Sequence, residues 1–274
     1  MLPVGLVVAR LDEDEKHADH TERTGQITIA MPNNQLPLSL GLRDSSVFAS
    51  YFAGRNQAVV NALLALPEGD APRCVWLRGV AGVGKTHLLQ AVCARAGQRA
   101  QTAAYLPLND LQAMSPEVVS GCGHFACVCV DDLEAIAGRR DWEFALFSLY
   151  QELDEQRGRL WVSSTAPPAA TGIQLRDLAS RLSGGLVLTL HSLEEDEQIA
   201  ALKLRADLRG FELPDDTIQY LLRRLPRDMT SLYGFLDELD QASLAAQRRL
   251  TVPFVREVMR RAMSDERQGA SDEG

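Results

Sequence analysis

The chain has 274 residues, 46% of them hydrophobic, with 28 Lys and Arg against 37 Asp and Glu and a net charge of -9 at pH 7. That length supports one large or two modest domains with a full core, and the acidic balance excludes binding nucleic acid through the field of the whole chain, leaving only local basic patches open. Five cysteines, Cys74, Cys93, Cys122, Cys127 and Cys129, form an odd count with no secretory signal ahead of them, so reduced thiols, a cytoplasmic location and no membrane partner are expected.

In chain order, residues 1–30 carry the runs DEDEK and DHTER with no helical or strand period and are expected to form a disordered tail. Met31 is an alternative start. Residues 31–43 form a peptide and linker in which Leu36, Leu38 and Leu40 recur at every second position behind Gln35. Pro37 discourages helix, so an extended backbone would project the three leucines to one side. Taken alone, this pattern fits a first strand or a packing arm as well as a docking peptide. Between Phe48 and Leu66 the apolar residues fall mostly at helical spacings, broken at Gly54, which fits one or two helices.

Short apolar runs then alternate with helical segments, the pattern of a parallel sheet covered on both faces. Strands are expected at Cys74–Leu77, Ala103–Leu106, Phe125–Val130, Leu160–Ser163 and Leu186–Leu190, with crossover helices at Lys85–Ala96, around Asn109–Val119 and at Trp142–Arg157. The strand signals stop near residue 191. Four apolar-periodic segments follow, Leu193–Leu208, Asp215–Leu225, Asp228–Gln247 and Val252–Met263, several with acidic first turns that suit the helix dipole. The expected organisation is therefore an α/β core over 44–190, an all-helical domain over 191–264 and an acidic tail over 265–274.

Residues 79–86 read GVAGVGKT, with Gly79, four intervening residues and then Gly84, Lys85 and Thr86. The stretch follows the apolar strand CVWL and opens the helix KTHLLQAVCARA, the context in which a P-loop cradles phosphate with backbone amides. Gly79, Gly82, Val83, Gly84, Lys85, Thr86 and His87 are thus the expected contacts of an ATP or ADP, with Lys85 on the terminal phosphates and the Thr86 hydroxyl on Mg2+. His87 also reads as helix surface or packing, since nothing pairs it with a nucleophile. About forty-five residues later, FACVCVDDLEAIAG ends a second apolar strand in carboxylates. Asp131 is placed to hold Mg2+ through water and Asp132 to orient the attacking water, with Glu134 as a substitute. Aspartate in that role is one methylene shorter than glutamate, which suggests slow hydrolysis. Cys122, His124, Cys127 and Cys129 lack a second paired cluster at zinc spacing, so they are expected to act as small hydrophobes.

The segments FASYFAGRN, GVAGVGKTHLLQAV, VCVDDLEAIAG, LWVSSTAPP, LRDLASRL and DELDQASLAAQRRLTVPFVREVM together resemble the DnaA-type branch of the AAA+ ATPases, nearest its regulatory members that inactivate the initiator DnaA. The resemblance runs over roughly residues 35–263. It implies an AAA+ core with a five-stranded parallel sheet in the order 5-1-4-3-2 followed by a small helical lid. By the same resemblance Phe48, Phe52, Gly54 and Asn56 line the base pocket, Ser164 or Thr165 is the sensor that contacts phosphate or water, and Arg181 is an arginine finger for a neighbouring subunit's nucleotide. A finger of that kind is worth about three to five powers of ten in rate. Thr230 stands where the family has a lid arginine, which puts γ-phosphate sensing in doubt, and Arg227 lies one helical turn earlier. The family further implies that Gln35, Leu36, Pro37, Leu38 and Leu40 dock on the DNA polymerase III sliding clamp, the β subunit. DnaA would be the second partner, its ATP hydrolysis stimulated and its ADP form left inactive. The chain as given ends after the lid without a DNA-box domain, so DNA is expected to be reached only through the clamp; self-association is left open. Two alternatives stand beside this reading: a self-contained ATPase acting as helicase loader or remodelling subunit, and a non-catalytic module that sequesters DnaA.

Overall fold

The computed structural model of the chain describes residues 7–9, 46–66, 72–246 and 250–261. Two compact units divide between His191 and Ser192. The first is built on a sheet of β1 (Val7–Ala9), β2 (Cys74–Arg78), β3 (Ala103–Pro107), β4 (Cys127–Asp131), β5 (Arg159–Ser164) and β6 (Leu186–Thr189), in the order β1-β3-β4-β5-β2-β6. Counted from β2 onward, the five mutually parallel strands run 5-1-4-3-2. The expected order is the one found. The sixth strand is a correction: Val7–Ala9, within the stretch expected to be unstructured, pairs antiparallel with Ala103–Tyr105 at the sheet edge.

Alternation along the strands sorts the core into two layers, because successive side chains leave a strand on opposite faces. Cys74 and Trp76 of β2, Ala104 and Leu106 of β3, and Val128 and Val130 of β4 pack on one face with Leu146 and Leu149 of α4 (Arg140–Glu155) and Leu178 and Leu182 of α5 (Arg176–Ser183). Val75, Leu77, Tyr105, Cys127, Cys129 and Trp161 meet Leu88, Leu89 and Val92 of α2 (Lys85–Gln98) and Val60 and Leu63 of α1 (Gln57–Ala65) on the other. Every crossover therefore leaves the carboxyl end of one strand and returns to the amino end of the next.

The single helix expected around Asn109–Val119 is broken. Only Leu108–Leu111 is helical, as α3, and Pro116–Val119 forms a separate 3-10 turn capped by Ser115, whose Oγ accepts from the Glu117 N–H at 3.3 Å. A residue preceding proline is driven out of helical conformation, and proline has no N–H to continue the ladder. The second unit comprises α6 (Glu195–Leu208), α7 (Asp215–Arg224), α8 (Met229–Ala246) and a last helix over 252–261 around their own apolar cluster. Asp237 of α8 takes Arg205 of α6 at 3.4 Å and Arg209, which caps its end, at 2.9 Å. Among the described residues no helix is long and apolar enough to cross a membrane.

Trp76, in the middle of β2, is fully buried. Trp76→Ala is expected to cost about 3–5 kcal/mol of stability, read as a lower denaturation midpoint with an unchanged slope.

Candidate phosphate-binding site

At the carboxyl end of β2 the chain turns sharply from strand to helix. Gly82 and Gly84 adopt φ of 75° and 95°, a left-handed backbone that costs side-chain-bearing residues and that aims successive N–H groups into one concavity. Gly84 immediately precedes α2, so this concavity sits on the helix N-terminus, where the dipole favours an anion. Lys85 is buried, its Nζ donating to the Gly79 and Val80 carbonyls at 2.9 and 3.1 Å. Two of its three N–H donors thus hold the ammonium over the loop. Gly79 donates its own N–H to the Ser164 carbonyl at 3.2 Å. Thr86 is exposed in the first turn of α2.

Tyr51 was not expected here. A Cβ on Gly84 would come within 2.6 Å of the Tyr51 ring, and the Tyr51 hydroxyl donates to the Val83 carbonyl at 3.3 Å. His87 binds the same segment from α2: Nε2 lies 3.0 Å from the Val47 carbonyl and 3.4 Å from Ser50 Oγ, and the ring is tilted on Tyr51 with centroids 5.5 Å apart. The histidine therefore pins residues 47–51 over the loop. Phe48 packs into the α2-side core, and Phe52 is half-buried. Asn56 is buried, and its carboxamide clasps the His191 backbone in both directions at 2.8 Å, so its visible work is to fasten that strand end. An apolar-polar-apolar triplet in FASYF could have nominated Tyr51, but nothing in it separates the ring that faces the loop from those that face the core.

The carboxylates gather on the neighbouring strand ends. Asp131 is buried; its Oδ2 accepts from the Tyr105 hydroxyl at 2.7 Å and its Oδ1 from the Ser163 hydroxyl. Burial, with Asp131 alongside, pushes the Tyr105 phenol up and keeps it a donor. Ser163 Oγ also accepts from the Asp132 N–H at 2.9 Å, so one strand serine orients both acids. Asp132 has φ 56°, a sparsely populated backbone for a residue other than glycine. Its Oδ2 accepts from Asn109 Nδ2 at 2.6 Å. Burial, followed by the charges of Asp131 and Glu134, raises the Asp132 carboxyl above its ordinary pKa against the pull of Lys85 and Asn109. For Glu134, burial acts upward, but hydrogen bonds from its own backbone and from the N–H and hydroxyl of Thr165 hold it below the ordinary value. Those two Thr165 donors reach Glu134 Oε1 at 3.0 and 2.9 Å. Lys85, Asp131, Asp132 and Thr165 thus share one end of the sheet, an ammonium facing a set of carboxylates; Ser163, Tyr105 and Asn109 are the supporting residues that spacing alone had not marked.

Arg181 is not with them. It lies in α5, exposed, its guanidinium 6.0 Å from the centroid of the Tyr150 ring. With Arg73, Cys74, Tyr150 and Asp177 it lines an open cleft of about 590 Å³. Cys74 begins β2, whereas Gly79 follows its end; five strand residues span roughly 17 Å. Arg181 and the phosphate loop therefore occupy opposite ends of the same strand.

Thr230 is exposed in the first turn of α8, and Arg227 is paired with Glu195 at 3.0 Å. Gln35, Leu36, Pro37, Leu38 and Leu40 lie outside the described residues. The sulfurs of Cys93, Cys127 and Cys129 all lie within 4.8 Å of one another, buried between α2 and the sheet. Cys93 thus joins the pair where Cys122 and His124 had been considered, because α2 lies on that face of β4 and the 3-10 turn at 122–124 on the other.

Comparison with known proteins follows the same division. Residues 195–259 match the family described as Hda, lid domain. Domain III of the Thermotoga maritima replication initiation protein DnaA is similar with a TM-score of 0.66 at 18% identity, over 80% of this chain and 97% of that one. AMPPCP-bound DnaA from Aquifex aeolicus is similar with a TM-score of 0.60 at 21% identity, over 83% and 71%. A replication initiator DnaA bound to AMPPCP and single-stranded DNA gives 0.59 at 23%, over 72% and 65%. The chain shares the fold of these initiators, and residues 195–259 of its second unit match the Hda lid family.

Two outcomes are expected. Gly84→Ala meets both the left-handed backbone and the Tyr51 ring, and should lower stability by about 1–2 kcal/mol and abolish nucleotide retention in a filter-binding assay. Asp132→Asn removes a carboxyl whose folded pKa is raised, that is, one whose ionisation costs stability. The variant should melt higher than the parent at neutral pH, and the gain should vanish as pH falls through the raised Asp132 pKa toward the ordinary carboxylate value, where the parent's carboxyl is protonated too.

Proposed function

We propose that this DnaA-type AAA+ chain is a regulator of replication initiation that, held on the sliding clamp by Gln35–Leu40, stimulates ATP hydrolysis by DnaA and leaves it in the inactive ADP form. The observation that carries the reading is the position of Arg181. A guanidinium at the amino end of β2 is too far from its own phosphate loop to act there, yet it is exposed and free to enter a site presented by another subunit. There it would neutralise charge developing on the transferred phosphoryl. The Hda-type lid at 195–259 supports DnaA as the molecule that presents the site.

The chain's own nucleotide site has the parts to hold ATP or ADP: the amides after Gly79, the Lys85 ammonium, and Tyr51 closing over Gly84. Thr86 and Asp131 are the residues that would hold Mg2+, which when bound neutralises the β- and γ-phosphate oxygens. The donor set fits, being a hydroxyl at a helix start and a buried carboxylate with lone pairs to spare beyond its two hydrogen bonds. Asp132, one oxygen of which accepts from Asn109, is a carboxylate that burial and neighbouring charge make more basic than usual, as a group that takes a proton from water requires. The competing reading, a self-contained ATPase, draws on the same Lys85, Asp131 and Asp132.

The leucine-bearing peptide supplies the third element. An extended segment that sends alternate side chains into an apolar groove gains affinity without folding a domain, and a tether raises the local concentration of Arg181 near clamp-bound complexes. The test is DnaA ATP hydrolysis with and without clamp loaded on DNA. Arg181→Ala and the double change Gln35→Ala/Leu36→Ala are each expected to remove most of the stimulation, the second only when clamp is present. Full stimulation by Arg181→Ala overturns the reading, and rapid turnover by the isolated chain favours the self-contained ATPase.

A further inference from the structure

Glu143 is a buried carboxylate that neither the nucleotide site nor the core explains. It sits in the first turn of α4 with 1% of its surface exposed, and among the described ion pairs no cation accompanies it. Instead its two oxygens accept backbone N–H groups. Oε1 takes Gly138 at 2.7 Å and Gln174 at 3.0 Å; Oε2 takes Gln174 at 3.0 Å and Leu175 at 2.7 Å. Leu175 is the residue that caps α5, and its own side chain makes no capping bond. A carboxylate from another helix therefore does the work that a capping side chain does locally, and does it with a charge placed at a helix N-terminus. Charge-assisted bonds of this kind are roughly twice as strong as neutral ones and set direction as well as distance.

The other end of α5 is held by the same helix. Tyr150, seven residues after Glu143 and on the same face of α4, lies under the Arg181 guanidinium at 6.0 Å. Seven helical residues rise about 10.5 Å, and the six from Leu175 to Arg181 about 9 Å, so the two contacts match in spacing along neighbouring helices. Leu178, between the two contacts, and Leu182, just past the second, share a buried cluster with Leu146 and Leu149. Tyr150 is buried, its hydroxyl pKa raised chiefly by that burial, so it offers Arg181 a neutral ring face.

We infer that Glu143 and Tyr150 are positioning residues for Arg181: the carboxylate sets where α5 begins, and the ring sets the direction in which the guanidinium leaves the surface. This rests on the reading of Arg181 as a group that acts in a partner's site. A long flexible arginine without such a mount would reach many positions, of which few are productive; a mount converts that search into a single approach. Neither residue touches the partner's nucleotide, and neither is part of the chain's own phosphate loop.

The test measures DnaA ATP hydrolysis, in the presence of DNA-loaded clamp, as the full-length chain is titrated, separating the plateau rate from the concentration that gives half of it. Glu143→Gln keeps shape but loses the charge and half of the accepting capacity. It is expected to lower the plateau at least fivefold while the half-saturating concentration and nucleotide binding by the variant's own P-loop stay within twofold of the parent. Tyr150→Leu should do the same, and Tyr150→Phe, which keeps the ring face, should restore the plateau. A simple loss of fold would instead move nucleotide binding and half-saturation together. Should Glu143→Gln prove too unstable to purify, the pair Tyr150→Leu and Tyr150→Phe decides by itself. Arg181→Ala serves as reference: if it abolishes stimulation but both Glu143→Gln and Tyr150→Leu retain the parent's plateau, the positioning inference is wrong while the role of Arg181 stands. If Arg181→Ala stimulates fully, the underlying reading fails and the inference falls with it.

Discussion

Strand polarity governs this molecule. Because β2 to β6 are parallel, all their carboxyl ends lie on one side and all their amino ends on the other. The turns after β2, β4 and β5 therefore bring Lys85, Asp131, Asp132 and Thr165 together although they are spread over eighty residues of chain. The same polarity places the turn before β6, and with it Arg181, at the opposite side, where Gly185 lies so close to Cys74 that a Cβ would approach its carbonyl oxygen within 2.6 Å. The glycine loop with Lys85 and the exposed Arg181 thus lie at opposite ends of one sheet and cannot meet within a molecule.

Within the phosphate-binding end, hydrogen bonding decides how each acid behaves. Asp131, Asp132 and Glu134 are crowded enough that their charges repel, and each is handled differently. Asp131 takes two buried hydroxyls, Glu134 takes an N–H and a hydroxyl from Thr165, and Asp132 is left with Asn109 and a strained backbone. Burial and the neighbouring charges raise the Asp132 carboxyl, whereas the hydrogen bonds from Thr165 help to hold Glu134 below its ordinary value.

The second end relies on α4. Its buried stripe of Trp142, Leu146, Leu149 and Leu153 is an ordinary amphipathic face. Interrupting that stripe with Glu143 would be costly unless the carboxylate were fully bonded, and the start of α5 supplies the donors. A buried charge satisfied only by backbone groups has little freedom to shift.

Local patterning was sufficient to place the five parallel strands and to mark the glycine loop and the two acids, because each shows as a short apolar run, glycines at a turn or carboxylates after an apolar strand; the strand order came only with the resemblance to a known family. The helix at 109–119 was misjudged where Pro116 interrupts it, and the strand at Val7–Ala9 was missed because a three-residue edge strand has too few positions to show alternation. What tertiary structure alone decided is which groups meet. Tyr51 against Gly84, Ser163 between Asp131 and Asp132, Cys93 beside Cys127 and Cys129, and Glu143 beneath Leu175 join residues about thirty or more positions apart. A single sequence records the preference of each residue for its own conformation and burial; pairings across the sheet depend on how the crossovers stack, and that is settled only when the two apolar layers pack.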